Sequence, residues 1–387
     1  MTSHYDALET RAPAERELAL MAALPGQVAH ARSHASAFAE ILANVDPAKV
    51  TSRAALAALP VTRKHELLER QQAKREHNLF GGFATQGFGT HMPRVFSSPG
   101  PMYEPEGARP DYWRMARALH AAGFRSGELV HNCFSYHFVP AGSMMECGAM
   151  ALGCTVFPGG TGQTEQQAQA MADMRPAGYI GTPSFLKLIL EKAAELKLPL
   201  PSLKKALLSA EAFPPSLRDW LAERGVTGYQ CYGTADLGLI AYETEAREGL
   251  VLDEGVIVEI VRPGTGDLSA VLPGPCPTGR TNTRIKGWLG RADQTTKVRG
   301  MFVHPGQIAA VAARFPQVLR ARLVVSGEMA NDQMLLQVET AETSGGLAER
   351  LQEAVREITK LRGEVELVAP GTLPNDGKVI EDARSYR

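Results

Sequence analysis

Between residues 110 and 231 the apolar positions switch repeatedly from helical spacing to short unbroken runs. DYWRMARALHAAGF sets Tyr112, Met115, Ala116 and Leu119 on one helical face and stops at Gly123, after which GELVHNCF reads as a buried strand. The alternation then repeats. Helical GSMMECGAMALG leads to strand CTVFP, TEQQAQAMADM to GYIG, PSFLKLILEKAAEL to KKALLS, and PPSLRDWLAER to TGYQCY. Strands alternating with helices of about ten residues predict right-handed βαβ units around a parallel sheet, an α/β fold. In such sheets functional groups gather at the carboxyl ends of the strands.

The flanks read differently. In APAERELALMAALPGQVAHARSHASAFAEIL, Leu18, Met21, Leu24 and Val28 lie near helical spacing, and Pro25 with Gly26 predicts a break into two short helices. HELLERQQAK predicts another helix, and LFGGFATQGFGTHM a loop. Over the last hundred residues RARLVVS, DQMLLQVET and GEVELVA predict strands, and GLAERLQEAVREITKL an amphipathic helix. The tail PGTLPNDGKVIEDARSYR has no core pattern and reads as a loop presenting Lys378 between Gly377 and Val379. The expected organisation is a large domain over 1–292 and a small α+β domain over 293–387.

Composition narrows the function classes. With 387 residues, 44% of them hydrophobic and 21% charged, the chain is longer than one ordinary domain needs. A formal net charge of −1 gives no basic field for nucleic acid. No apolar stretch reaches the roughly 18 residues of a membrane-spanning helix. The first twenty residues mix acids with bases around no apolar signal core, so a soluble cytoplasmic protein is expected. The five cysteines form no CxxC pair and no even disulfide set. His131, Cys133 and His137 are close enough for zinc, but Cys133 lies in an apolar run where cysteine behaves as a small hydrophobe, and the metal reading is the weaker.

The chemistry-bearing stretch is QCYGTADLGLIAYET, Gln230 to Thr244. It puts Tyr232, Gly233, Thr234 and Asp236 just past a predicted strand, at the working edge of the sheet, although glycine and aspartate also make plain turns. Generic signatures fail elsewhere. No G-x-S-x-G occurs and no GxGxxG follows a strand. GTLPNDGKV has one residue too many between its glycines for a phosphate loop, and Val379 stands where Ser or Thr would bind magnesium.

The remaining pieces form an ordered set that resembles the adenylate-forming acyl-CoA synthetases, most closely the phenylacetate-CoA ligase group, over nearly the whole chain. LPVTRKHELLERQQ resembles the group's early segment, GCTVFPGGTGQTEQQ its loop after the central helix, and SAEAFPPSLR the adenine-holding segment. YGTAD stands where the family has its tyrosine-glycine-x-Ser/Thr-Glu motif, TGD over 265–267 matches the ribose motif, GRADQTTKVRG over 290–300 the hinge, and LPNDGK carries the C-terminal lysine.

The resemblance implies ATP or AMP, Mg²⁺ and coenzyme A as ligands. It assigns Lys378 to the α-phosphate and Asp236 to Mg²⁺. Ser97, Ser98, Glu211, Ala212, Tyr232, Gly233, Thr234, Asp267 and Arg291 fall to the nucleotide, and Tyr136, His137, Phe138, Ala141 and Gly142 to the acyl pocket. Asp293 becomes the pivot of a mobile C-terminal lid, with Arg299 and Gly300 at the CoA channel. The implied activity is acid activation through an acyl-adenylate followed by thioester formation, for an aryl or arylalkyl acid such as phenylacetate. The expected partners are that acid and CoA, with neither nucleic acid nor membrane, and a homodimer as the candidate assembly.

Three departures from the pattern stand out. VFSSPGPMYEPEG replaces a Ser/Thr/Gly-rich phosphate loop that ends in lysine: Pro99 and Pro101 remove N–H donors, and Glu104 and Glu106 bring negative charge. Asp236 is one methylene shorter than the family's glutamate. VIVEIVRPGTGDLSAV runs straight from a strand into the ribose motif, without the segment relatives insert there, which threatens a bare sheet edge. These features motivate two alternatives: a degenerate relative that binds AMP or an acyl-adenylate without making it, and a protein that uses the CoA channel alone.

Overall fold

The computed structural model describes residues 4–98, 102–259, 268–287, 294–299, 301–327, 332–341 and 346–384. They form two compact units. The first comprises Met1–Ser209, Arg218–Thr265 and Ser269–Gly287, and the second Ala210–Leu217, Gly266–Leu268 and Trp288–Arg387.

The first unit opens with helices α1 (Pro13–His34), α2 (Ser36–Ile41), α3 (Arg53–Ala57) and α4 (Lys64–Lys74). α1 corrects the expectation of two short helices, since it runs unbroken through Pro25. Proline removes one hydrogen bond of the helical ladder, but Leu24 and Val28 stay on one face and are buried with Leu42 and Val50. Tertiary packing outweighs the local penalty. Strands β1 (Arg94–Ser98) and β2 (Met102–Glu106) follow as an antiparallel hairpin.

The predicted alternation is then observed: α5 (Met115–Ala121), β3 (Leu129–Asn132), α6 (Ala141–Ala151), β4 (Thr155–Pro158), α7 (Thr164–Met174), β5 (Gly178–Gly181), α8 (Pro183–Glu195), β6 (Lys205–Leu208), α9 (Pro215–Glu223) and β7 (Thr227–Thr234). β3 to β7 are all parallel to their neighbours among themselves. After β7 the chain doubles back into β8 (Gly238–Glu243) and β9 (Leu250–Leu252), with β10 (Val271–Leu272) and β11 (Arg284–Ile285) completing an antiparallel flank. The nine strands lie in the order β10-β11-β9-β8-β7-β6-β5-β3-β4. Phe124, Val130, Ile180 and Leu207 of the sheet side share one core with Met115 and Leu119 of α5. VIVEIV departs from expectation: its described part, residues 256–259, is not strand. β9 is ended there by the Asp253 turn, where the amide of Val256 donates to the Asp253 carbonyl.

The second unit holds β12 (Thr296–Val298), β13 (Met301–Val303), α10 (Pro305–Ala313), β14 (Arg320–Ser326), β15 (Gln333–Glu339), α11 (Leu347–Thr359), β16 (Glu364–Val368) and β17 (Ile380–Asp382). Four of these strands make a sheet ordered β16-β15-β14-β17, with Leu323, Leu336, Ile308 and Leu351 in its core. β17 corrects the reading of the tail as loop. Ile380 pairs with Leu323 in parallel register and is buried. Two adjacent apolar residues, Val379 and Ile380, carry too little periodicity to be seen in sequence.

Candidate active site

The YGTAD stretch ends β7 and turns into β8 through a register irregularity between Tyr232 and Gly233. Thr234 Oγ1 accepts a 3.1 Å hydrogen bond from the amide of Leu237, closing the turn around Asp236. Gly238 has φ +72°, and a Cβ there would lie 2.5 Å from the Trp113 carbonyl oxygen, so only glycine fits. The Trp113 carbonyl accepts from the Leu239 amide, and the Arg114 guanidinium donates to the carbonyls of Leu237 and Leu239 and to Asp253 Oδ2 at 2.8 Å. The N-terminal end of α5 thus clamps the turn. Tyr232 packs beside the cluster of Ile240, Ala241, Leu250, Leu252 and Ile285.

The clamped turn meets the β1–β2 hairpin. Lys64, the first residue of α4, places Nζ 2.9 Å from Asp236 Oδ2 and 3.5 Å from Glu104 Oε1. The other Glu104 oxygen accepts from the Ser98 hydroxyl. Burial pushes the Glu104 carboxyl above its usual range, and the Asp236 charge pushes the same way, against the Ser98 and Lys64 contacts. Glu106 is also buried, and its charge is compensated: Arg94 lies 3.0 Å away, while Ser143 and Cys147 donate to it from α6. The amide of Ser97 donates to the Phe138 carbonyl at 2.7 Å, which ties this hairpin to the segment expected to line the acyl pocket.

In that segment the Tyr136 hydroxyl donates to Glu146 at 2.7 Å and accepts from Asn132. Burial, then Glu146, raises the phenol well above its ordinary value, so it stays protonated. Gly142 is packed so tightly that a Cβ would lie 2.7 Å from the Ser135 carbonyl and 2.9 Å from the Tyr136 ring. Ala141 begins α6, the His137 amide donates to Ser135 Oγ, and Phe138 sits at φ +61° with its residue 80% exposed. His131 Nε2 lies 2.6 Å from Gln167 Oε1, to which buried Cys133 also turns. Among the described residues no group of three His, Cys, Asp or Glu could hold a metal.

In the second unit Lys378 is exposed, and its loop is gripped on both sides. Gln294 donates to the Gly377 carbonyl at 3.0 Å and accepts from the Val379 amide at 2.7 Å. Asp376 accepts from the Lys378 amide and pairs with Arg322 at 2.9 Å. Lys297 donates to the carbonyl of Ala210, which sits at φ +70° just before Glu211 and Ala212. Burial lowers the Lys297 ammonium, opposed by the Glu211 charge. The Arg299 guanidinium is bound to the carbonyls of Asp332 and Arg362. Asp267, Arg291, Asp293 and Gly300 lie outside the described residues.

Lys64, Gln294 and Lys297 were not singled out from sequence. Each lies inside a segment that was, in TRKHELL or GRADQTTKVRG, but only tertiary contact separates them from the ordinary polar residues around them.

Comparison with known proteins gives a consistent result. The family model described as AMP-binding enzyme matches residues 112–270, and that of the AMP-binding enzyme C-terminal domain matches residues 300–383. The phenylacetate-coenzyme A ligase of Thermus thermophilus is 29% identical, over 78% of this chain and 75% of that protein. Its namesake from Aromatoleum evansii is 26% identical, over 84% and 83%. Among solved structures, 2-hydroxyisobutyryl-CoA ligase in complex with 2-HIB-AMP and CoA superposes with a TM-score of 0.82 at 25% identity, covering 100% of this chain and 93% of that one.

Proposed function

The chain belongs to the adenylate-forming AMP-binding enzymes, in their phenylacetate-CoA ligase-like group, and from that premise we propose an ATP-dependent acid–CoA ligase for an aryl or arylalkyl carboxylate such as phenylacetate. In the first half-reaction a carboxylate oxygen attacks the α-phosphorus of ATP and pyrophosphate leaves. In the second, the CoA thiol attacks the acyl carbon and AMP leaves. The observation that carries this reading is the meeting of Ser98, Glu104, Lys64 and Asp236 at the carboxyl end of β7, where an α/β sheet of this type binds its ligand.

Mg²⁺ is held by phosphate oxygens, waters and one or two carboxylates rather than by a protein cage, so the single half-exposed Asp236 carboxylate fits it. When bound, the ion neutralises phosphate charge. Lys378 is assigned to the α-phosphate, where a compact positive charge stabilises the developing negative one. Tyr232, Gly233, Thr234, Glu211 and Ala212 are assigned to the adenine side, Asp267 and Arg291 to the ribose, Asp293 to the pivot of the lid, and Arg299 and Gly300 to the CoA channel. For the acid, the aryl or arylalkyl class is supported by the likeness to phenylacetate-coenzyme A ligases.

The test is pyrophosphate release by the purified protein over a panel of aryl, arylalkyl and aliphatic carboxylates, with ATP, Mg²⁺ and CoA. The proposal expects release that depends on aryl or arylalkyl acids. Release driven only by short aliphatic acids would contradict the substrate class, and none with any acid would contradict the activity.

A further inference from the structure

Strands β1 and β2 contain no lysine, nor does the sequence between them, which carries Pro99 and Pro101, two residues without an N–H to donate. A triphosphate nonetheless needs cations, because the pyrophosphate that departs takes a bond's electron pair with it. The cluster supplies one from elsewhere. Lys64 reaches across from α4, and two of its three N–H donors are directed at carboxylates on β2 and on the β7–β8 turn, 3.5 and 2.9 Å away. Its side chain is 52% exposed while Glu104 beside it is 6% exposed, so the ammonium forms the solvent-facing cap of the cluster.

Stability explains the contact with Asp236 poorly. That pair is 52% and 35% exposed, and such a pair contributes about 0–1 kcal/mol. Moreover, the carboxylate Lys64 approaches most closely is Asp236, which the resemblance assigns to Mg²⁺. Lys64 and a divalent ion therefore compete for one carboxylate, and an ammonium displaced from Asp236 remains beside Ser98 and Glu104 with its donors turned to whatever anion has brought the ion in.

We propose that Lys64 is the cation that receives the β- and γ-phosphates of ATP, in place of the lysine that the sequence between β1 and β2 lacks, and that it cedes Asp236 to Mg²⁺ when the nucleotide enters. The inference rests on the ligase reading. In that reaction the carboxylate oxygen forms its bond to the α-phosphorus as the bond to the bridging oxygen breaks. The electron pair stays on pyrophosphate, and no proton is transferred. Lys64 neutralises the departing charge, complementary to Lys378, which is assigned to the α-phosphate.

Calorimetric titration of the full chain with Mg²⁺-pyrophosphate and separately with AMP tests this, on wild type, Lys64→Ala and Lys64→Arg. The expected result is a loss of at least tenfold in pyrophosphate affinity for Lys64→Ala, AMP affinity within twofold, and partial rescue by Lys64→Arg. Unchanged pyrophosphate affinity in Lys64→Ala overturns the proposal. So does an equal loss for both ligands, which marks a merely structural role, and so does a wild type that fails to bind pyrophosphate. The two readings fail separately. A wild type that binds pyrophosphate through Lys64 but turns over no acid sinks the ligase, whereas a ligase whose adenylation half-reaction is insensitive to Lys64→Ala sinks only this assignment.

Discussion

At the scale of single residues, the site depends on backbone positions that tolerate one side chain each. Gly238 combines a left-handed φ with a Cβ position 2.5 Å from the Trp113 carbonyl and 2.9 Å from its Cα, both backbone atoms that cannot step aside. Gly238→Ala is expected to cost about 2–4 kcal/mol and to lower activity with stability, because the turn it opens is the one that presents Asp236. A urea melt checks this, and a cost under 1 kcal/mol would show that the clamp yields. Asp111, next to the same clamp, has its carboxyl raised from 3.8 to about 6, first by burial, with the amides of Ala116 and Met115 opposing. Its folded form therefore holds a proton that the unfolded form has lost between those two values. This contribution stabilises the fold at low pH, weakens as pH rises through that window, and stays lost above about 6. Asp111→Asn should abolish it: relative to the variant, the wild type should lose stability from pH 4 to pH 7. A difference in melting temperature that does not change with pH would refute the assignment.

At the scale of elements, the Lys378 loop depends on side chains from outside it, Arg322 through Asp376 and Gln294 through the backbone. Gln294, half-buried, bonds to the residues on either side of Lys378 and also accepts from the Ile380 amide at 3.3 Å, so it fixes the loop where it enters β17. Gln294→Ala is expected to slow adenylate formation roughly tenfold through kcat, with KM for the acid little changed, since a misplaced lysine weakens the transition state rather than binding. A change confined to KM would argue against it. Helix α1 carries a different signature. Pro25→Ala should restore a ladder hydrogen bond and stabilise the protein by about 1–3 kcal/mol, read from the denaturation midpoint.

These two elements also show where sequence is legible. The βαβ run was readable because every helix and strand there buries a face, so each repeats a period: Met115 and Leu119 on α5, Val130 on β3, Ile180 on β5. α1 misled because proline speaks only for local propensity. β17 was silent because it is held mainly by Ile380 and by its register on β14. The carboxylate at the end of β7 could be placed from topology alone. Its partner Lys64 could not, since α4 and the β7–β8 turn are joined by no periodicity, only by the folded contact.

At the scale of the molecule, the assigned residues divide between the two units: Asp236, Ser98 and the acyl segment in the first, Lys378 with its Gln294 and Asp376 supports in the second. Each unit has a core of its own, so each can position its residues without the other. A chain with a formal net charge of −1 offers no long-range field to gather a polyanion. On the proposed reading affinity for ATP comes from local cations such as Lys64 and Lys378, and because both side chains are exposed it should fall as ionic strength rises.

The most direct test of the central claim, adenylate formation, is exchange of labelled pyrophosphate into ATP, which needs no CoA and reports the first half-reaction alone. The account predicts exchange that requires both Mg²⁺ and an aryl or arylalkyl acid, and that falls about 10²–10³-fold in Lys378→Ala. Exchange that proceeds without acid, or that survives loss of Lys378 unchanged, would contradict it.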